Sequence, residues 1–358
     1  MEKLTYLNTA AAGLLSPGSL QSSNEFLDAL TTNASARSEH WRFNEFPKMR
    51  ETLAAFMDAP VTNVAFIPNF TFGLTCVVHS LRGDEKVLLY KNDFPSVIEP
   101  FRINSFDITW LEDEDGFMIS VDKIKQVLTE RKIDVFVFSH VQYATGYKAD
   151  IYELAAFCRL NSILFIVDVT QSLGGVELSV SKLDADAVIG SNYKWMNAGF
   201  GTGVMYVSDN FLNKYTPKVA GFGSYTIKPD KMFYEPSARS FEPGHLNIPV
   251  LFILEAAMKE KMQKRMDSIE QHNRKLTKTL LDGIAKYPVK LIGDAGMENR
   301  SSIVIIKDEN GLGAHMQKNN VVVTHRGGNL RMSMHFYNTE ADIESFIACL
   351  DSFYTANA

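Results

Sequence analysis

The chain has 358 residues, 46% of them hydrophobic and 22% charged, with a formal net charge of -6. That length suits two packed domains, and the balance is that of a globular protein rather than a disordered one. A mildly acidic chain lacks the basic face of a general nucleic-acid binder, and no stretch approaches the roughly 20 apolar residues that span a bilayer.

The opening MEKLTYLNTAAAG (1–13) has no long apolar run after its first charges, so no secretory leader is expected. From about residue 64 to 208, short apolar runs alternate with longer helical patterns. The runs are VAFIP (64–68), KVLLY (86–90), DITWL (107–111), DVFVFSHV (134–141), ILFIVDVT (163–170), AVIGS (187–191) and GVMYVS (203–208). Several are apolar throughout, the pattern of strands buried on both faces of a parallel, helix-covered sheet. KADIYELAAFCRLNS (148–162) spaces its apolar residues as a helix does and completes a βαβ unit. YKWMNAGFGT (193–202) is too short for a helical crossover, so GVMYVS is expected to run antiparallel.

The character changes at the proline-bearing EPGHLNIP (242–249). A bent helix is predicted from Ile248 to Lys286, then strands VKLIG, SSIVIIK, VVVTHR and LRMSMHF, and a closing helix opened by Thr339 and Asp342 in the manner of a capping box. The expected division is a large α/β domain over 15–245 and a small α+β domain over 246–358, with residues 1–14 packing nearby. Cys76, Cys158 and Cys349 are odd in number and fall in helical stretches. They read as buried small hydrophobes in a reducing, cytoplasmic setting, with no disulfide framework and no metal site.

Ligands of open α/β sheets bind at the carboxyl ends of the strands. Asp168 ends ILFIV, and Gln171 follows it. Lys194 stands between Tyr193 and Trp195 just past a strand. Burial there would lower its pKa toward the neutral amine that a Schiff base needs, while the ordinary alternative is a lysine stem lying along aromatic rings. PNFTFGLTCVV (68–78) opens a helix that Asn69 or Thr71 could cap, and the free N–H groups of such a start suit a phosphate. Ser191 could add a hydroxyl. Phe94 could stack on a planar ring or simply fill the core, and Arg331 could fork onto a substrate carboxylate or lie on the surface. Singly these signals are weak; their order along one chain is more telling.

In that order, the sequence resembles the class V aminotransferase family of fold-type-I pyridoxal phosphate enzymes, the family of cysteine desulfurases, isopenicillin N epimerase and kynureninase-like proteins. The likeness runs from YLNTAAAG (6–13) through ILFIVDVTQSLGGVELSV (163–180) to HFYNTEADIESF (335–346). It implies a large domain with a mostly parallel seven-stranded sheet plus a smaller α+β C-terminal domain. It implies pyridoxal 5'-phosphate carried on Lys194, with Asp168 on the pyridine nitrogen and Gln171 on the phenolic oxygen. Thr71, Ser191 and Tyr193 would hold the phosphate, Phe94 would stack on the ring, and Asn69, Phe70 and Gln142 would also contact the cofactor. Gly244 and His245, in EPGHLN, would reach a neighbour's phosphate in a homodimer with shared sites. Arg331, Asn8 and Ala11 would meet the substrate.

Some blocks, VQYATG (141–146), NDFPS (92–96) and YKWMNAG (193–199), are most similar to kynureninase; Gln171 and the short N-terminus look more like the aminotransferase and epimerase branch. Desulfurases of the family need a cysteine shortly before the carboxylate arginine, and THRGGNLR (324–331) has none. The expectation is transamination of a small amino acid, with a keto acid as possible partner. Kynureninase-like hydrolysis, a lyase reaction or epimerisation is the alternative. A cofactor-free binding protein that kept the fold has no need of Lys194, Asp168 and Arg331 together. A dinucleotide dehydrogenase would want G-x-G-x-x-G where PNFTFG stands.

Overall fold

The structure is a computed structural model that describes residues 4–228, 231–234, 237–294 and 296–356. Its centre is a seven-stranded sheet in the order Val64–Ile67, Gly203–Val207, Ala187–Ser191, Leu164–Asp168, Val135–Ser139, Lys86–Tyr90, Asp107–Leu111. The last five are mutually parallel, and Gly203–Val207 runs antiparallel to both its neighbours. The short glycine-rich link before it dictates that reversal.

The continuous apolar runs are explained by burial on two sides. Leu88, Tyr90, Phe136, Phe138, Phe165 and Val167 point into one core, while Val87, Leu89, Val135, Val137, Leu164 and Ile166 point into another. Period-two geometry sends alternate residues to opposite faces, and full burial of each such side chain contributes about 1.5–3 kcal/mol. Helices cover both faces. Among them, Ile151–Leu160 is capped by Asp150, whose carboxylate accepts from the Glu153 amide at 3.0 Å.

The long helix expected over 248–286 is two helices, Ile248–Lys264 and Met266–Ile284, broken at Arg265 with φ +67°. Leu251, Leu254, Ala257 and Met258 of the first pack in the larger core. Leu276, Leu280 and Ile284 of the second pack with the C-terminal strands. The change of packing therefore falls one helix later than residues 245 and 246.

The C-terminal strands differ from the expected set. Thr324–Arg326, Asn329–Ser333 and Ile303–Lys307 form an antiparallel sheet with Asn329–Ser333 in the middle. Val321–Val322 instead pairs in parallel with Thr5–Tyr6, which draws the N-terminal segment onto this unit. VKLIG contributes only an isolated bridge, Leu291 to Ile306. The closing helix, Glu340–Ala356, has half of the expected box: the Thr339 amide donates to Asp342 Oδ2 at 2.8 Å. Cys76, Cys158 and Cys349 lie in helices, free and buried. Among the described residues no helix is long and apolar enough to cross a membrane, and no group of His, Cys, Asp or Glu could hold a metal ion.

Candidate active site

Three neighbouring parallel strands end side by side. Ser139 closes one, Asp168 is paired with it in register on the next, and Ser191 closes the third. The chain beyond Ser191 folds back as a tight loop, with the Ala198 amide on the Asn192 carbonyl at 3.0 Å and Asn197 at φ +59°. This loop turns Lys194 over the strand ends, where it is 6% exposed. A cavity of about 230 Å³ lies there, lined by Asn69, Phe70, Thr71, Phe94, Asp168, Gln171, Ser191, Tyr193 and Lys194. Nine of the residues singled out in the sequence thus meet in one space. A larger cleft of about 800 Å³ adjoins it and shares Tyr143.

One carboxylate, Asp168, lines the cavity, and a second, Asp93, lies behind it in the adjoining cleft. Asp168 is buried and accepts from the Thr170 amide at 2.8 Å. Asp93, one residue before Phe94, is buried beside it. The Ser139 hydroxyl lies 2.6 Å from Asp93 Oδ1 and 3.3 Å from Asp168 Oδ2. A hydroxyl has one proton to give, and the shorter bond takes it. Burial foremost, with the Asp93 charge adding to it, pushes the Asp168 carboxyl up, while Thr170 and the Lys194 ammonium pull it down. Burial also pushes Asp93 up, against the bonds it accepts. Lys194 is pushed down, first by burial and then by Arg331 and Arg326, with Asp168 opposing. A neutral amine is the nucleophilic form of a lysine.

One wall is aromatic. Lys194 Nζ lies 5.6 Å from the centre of the Phe94 ring and 5.4 Å from that of Tyr193. Phe94 and Tyr143 meet edge to face at 5.2 Å. Opposite stands the start of the helix Phe70–Ser80. Asn69 caps it, accepting from the Phe72 amide at 2.9 Å, while the Phe70 amide donates to Ser191 Oγ at 2.9 Å. The Thr71 amide has no acceptor among the described residues, and its hydroxyl donates to Ser96 Oγ at 2.8 Å.

These features fit a flat, phosphorylated pyridine aldehyde. Asp168 is a buried carboxylate that a protonated ring nitrogen would hold ionised. Phe94 offers a ring face, the helix start and Ser191 offer donors for a dianion, and Lys194 offers the amine.

The other expected residues stand further off. Gln142 lines the adjoining cleft, donating toward Asp93 Oδ2 and the Ser139 carbonyl at 3.3 Å each, and its carbonyl oxygen has no partner among the described residues. Gln171 lines the cavity, but its amide already bonds the Ala10 carbonyl at 3.1 Å and the Trp195 indole at 2.9 Å, leaving one N–H for a ligand. Arg331 sits in the C-terminal sheet, 8% exposed, donating to the Tyr143 carbonyl at 2.9 Å and toward the Thr324 hydroxyl at 3.3 Å. Its Nε has no partner among the described residues, and burial with the Arg326 charge pushes the guanidinium pKa down to about 10. Asn8 accepts from the same Thr324 hydroxyl at 2.6 Å, and the Ala11 amide donates to the Asn8 carbonyl at 3.0 Å. Gly244 and His245 line a separate groove, where His245 meets Arg42 at 3.1 Å.

Sequence reasoning missed Asp93, Ser139, Tyr143 and Thr170. Ser139 and Thr170 were open to the same strand-end rule that found Asp168. Asp93 was hidden beside the more conspicuous Phe94.

The Aminotransferase class-V family model matches residues 5–346. A probable cysteine desulfurase of Pyrococcus abyssi is 23% identical, over 98% of this chain and 94% of that protein. The uncharacterized aminotransferase YcbU of Bacillus subtilis is also 23% identical, over 90% of this chain and 87% of that protein. Among solved structures, the apo cysteine desulfurase of Thermococcus onnurineus superposes with a TM-score of 0.86 at 19% identity, covering 99% of this chain and 95% of that one. The cystine C-S lyase C-DES, complexed with cysteine persulfide, also gives 0.86 at 19% identity and covers 97% of each chain. At such identities the two structures establish the shared fold.

Proposed function

The chain belongs to the class-V aminotransferase family, and from that premise we propose that it is a pyridoxal phosphate enzyme that transaminates a small amino acid. The observation that carries the reading is one cavity faced by a buried lysine and a buried carboxylate at adjacent strand ends. When bound, the cofactor supplies a sink for the electrons left behind when a proton leaves the substrate Cα. Lys194 would hold the aldehyde group, and its neutral amine is the base that would take a proton from the substrate Cα. Asp168 keeps a proton on the ring nitrogen. Phe94 would hold the ring plane, and Asn69, Phe70, Thr71, Ser191 and Tyr193 would hold the phosphate. Arg331, already aimed by Tyr143 and Thr324, grips the α-carboxylate.

A desulfurase reaction would need a thiol at the site. The stretch before Arg331 is a closed hairpin: Arg326 pairs with Asn329, and the two residues between them, Gly327 and Gly328, have φ of +55° and +70°. No cysteine lies in it. Burial pushes the Cys76 and Cys158 thiols up to about 11 and about 12, and pushes Cys349 up as well. The second reading is elimination or hydrolysis at the substrate side chain, favoured by the aromatic Phe94–Tyr143 wall, which suits a bulkier side chain. The homodimer belongs to the same proposal, with Gly244 and His245 meeting a neighbour's phosphate. So does a cytoplasmic setting, which the three free, buried cysteines suit.

Purified protein supplied with pyridoxal phosphate should take a yellow colour that borohydride abolishes, and Lys194→Ala should not take it in that form. A parent protein that stays colourless refutes the reading. Product analysis then separates keto acid from cleaved fragments.

A further inference from the structure

Against Tyr143, a residue of the cavity wall, stands a second arginine that the proposed chemistry does not use, Arg326. In the hairpin Thr324–Arg326 with Asn329–Ser333, the pairs are Thr324 with Arg331 and Arg326 with Asn329. Directly paired residues point to the same face. Thr324, Arg326, Asn329 and Arg331 therefore share one face, and Arg326 and Arg331 are diagonal neighbours on it. The other face holds His325, whose ring meets the Asp308 carboxylate, and Leu330, which is buried in the C-terminal core. The arginine face is thus the one turned to Tyr143, which lines the cavity, as the bond from Arg331 to the Tyr143 carbonyl shows.

Tyr143 joins the two arginines to the site. Its carbonyl holds Arg331, its ring edge meets Phe94, and the Arg326 guanidinium carbon stands 5.3 Å from its ring centre. Arg326 is close enough for its charge to depress both Arg331 and Lys194. Among the described residues neither arginine is paired with a carboxylate, and Arg326 lies exposed with only an aromatic face beneath it. Two like charges on one small face repel each other unless anions separate them. An α-carboxylate on Arg331 answers only one of them.

We propose that Arg326 binds a second acidic group, on the substrate side chain, so that the enzyme selects amino acids with acidic side chains. This rests on the reading of Arg331 and Lys194 given above. The spacing supports it: the diagonal of a hairpin face separates Cβ atoms by about 7–8 Å, and two long arginine side chains converging from it span the ends of a short dicarboxylic amino acid. The glycine turn keeps Arg326 in place. Gly327 and Gly328 both adopt positive φ, which fixes a two-residue link and therefore the register.

The test titrates the holoenzyme with paired amino acids and follows the cofactor absorption. The pairs are L-aspartate with L-asparagine, L-glutamate with L-glutamine, and O-phospho-L-serine with L-serine. The acidic member of at least one pair should bind or react roughly tenfold or more better, the scale of one charge-assisted bond. The pair that shows it tells a side-chain carboxylate from a phosphate. Arg326→Gln should remove that preference, so that the acidic and neutral members of the pair are treated alike, whereas Arg331→Gln should weaken both. Because Arg326 is exposed, its replacement does not threaten folding. A coloured enzyme that treats both members of every pair alike, or keeps its preference in Arg326→Gln, overturns this inference alone. A protein that takes no colour sinks the parent reading and this one with it.

Discussion

Lys261→Met should stabilise the protein, and more in acid than in base. Lys261 lies on the helix Ile248–Lys264 and is 1% exposed. Its Nζ donates to Asn197 Oδ1 at 2.7 Å and lies 4.4 Å from the centre of the Phe336 ring, with no carboxylate paired to it among the described residues. Burial foremost lowers its pKa from 10.5 to about 7; Glu260 opposes that and Lys264 adds to it. His335, the other titratable group in this pocket, is held neutral by the same burial and by Lys261.

The sign follows from proton counting. Between about pH 7 and 10.5 the unfolded chain holds a proton at Lys261 that the folded chain lacks, so this group makes stability rise with pH across that window. Below about pH 7 both states are protonated and the penalty is at its full size. A tenfold change in proton affinity is worth about 1.36 kcal/mol, which makes the penalty on the order of 5 kcal/mol at pH 6 and about 2 kcal/mol at pH 9. Methionine fills a similar volume without the charge, and Asn197 Oδ1 keeps its contact with His335 Nε2 at 3.0 Å. Denaturation of parent and variant at equal protein concentration and cofactor load should give a stability difference about 3 kcal/mol more favourable to the variant at pH 6 than at pH 9. A difference that does not change with pH refutes the assignment of a neutral buried amine.

Glu242→Ala should lower stability by about 3–5 kcal/mol, because Arg50 is held by both Glu242 oxygens at 2.8 and 2.7 Å inside the core, and the Phe66 amide donates to the same carboxylate at 2.8 Å. A thermal melt that moves by less than a degree would show that water replaces the carboxylate. Gly13→Ala should dislodge the Lys194 loop, since a Cβ there would stand 2.0 Å from the Lys194 carbonyl oxygen, whereas Gly18→Ala meets nothing within 4 Å and serves as control. The readout is cofactor absorption per folded protein, and equal occupancy in both variants would contradict the expected displacement.

Much of the large unit was legible because its signals are local. Strands buried on both faces announce themselves as apolar runs, and KVLLY and AVIGS coincide with their observed strands residue for residue, as does the more exposed edge strand DITWL. Lys194 and Asp168 were legible because each directly follows or ends such a run. The C-terminal unit was harder. VVVTHR looks like one strand, yet Val321–Val322 and Thr324–Arg326 join different sheets, because an edge partner arrives from Thr5–Tyr6 more than three hundred residues away.

The sequence alone determined which residue types stand at the strand ends, and therefore the family and the amine that would carry its cofactor. Only the tertiary structure decided what each of them faces. Gln171 is bound by Ala10 and Trp195, Asp93 is brought against Asp168 through Ser139, and Arg326 shares a face with Arg331. The physical reason is that hydrogen bonds and charge act over a few ångströms. Sheet order and hairpin register, which place distant residues within that range, depend on how the whole chain packs.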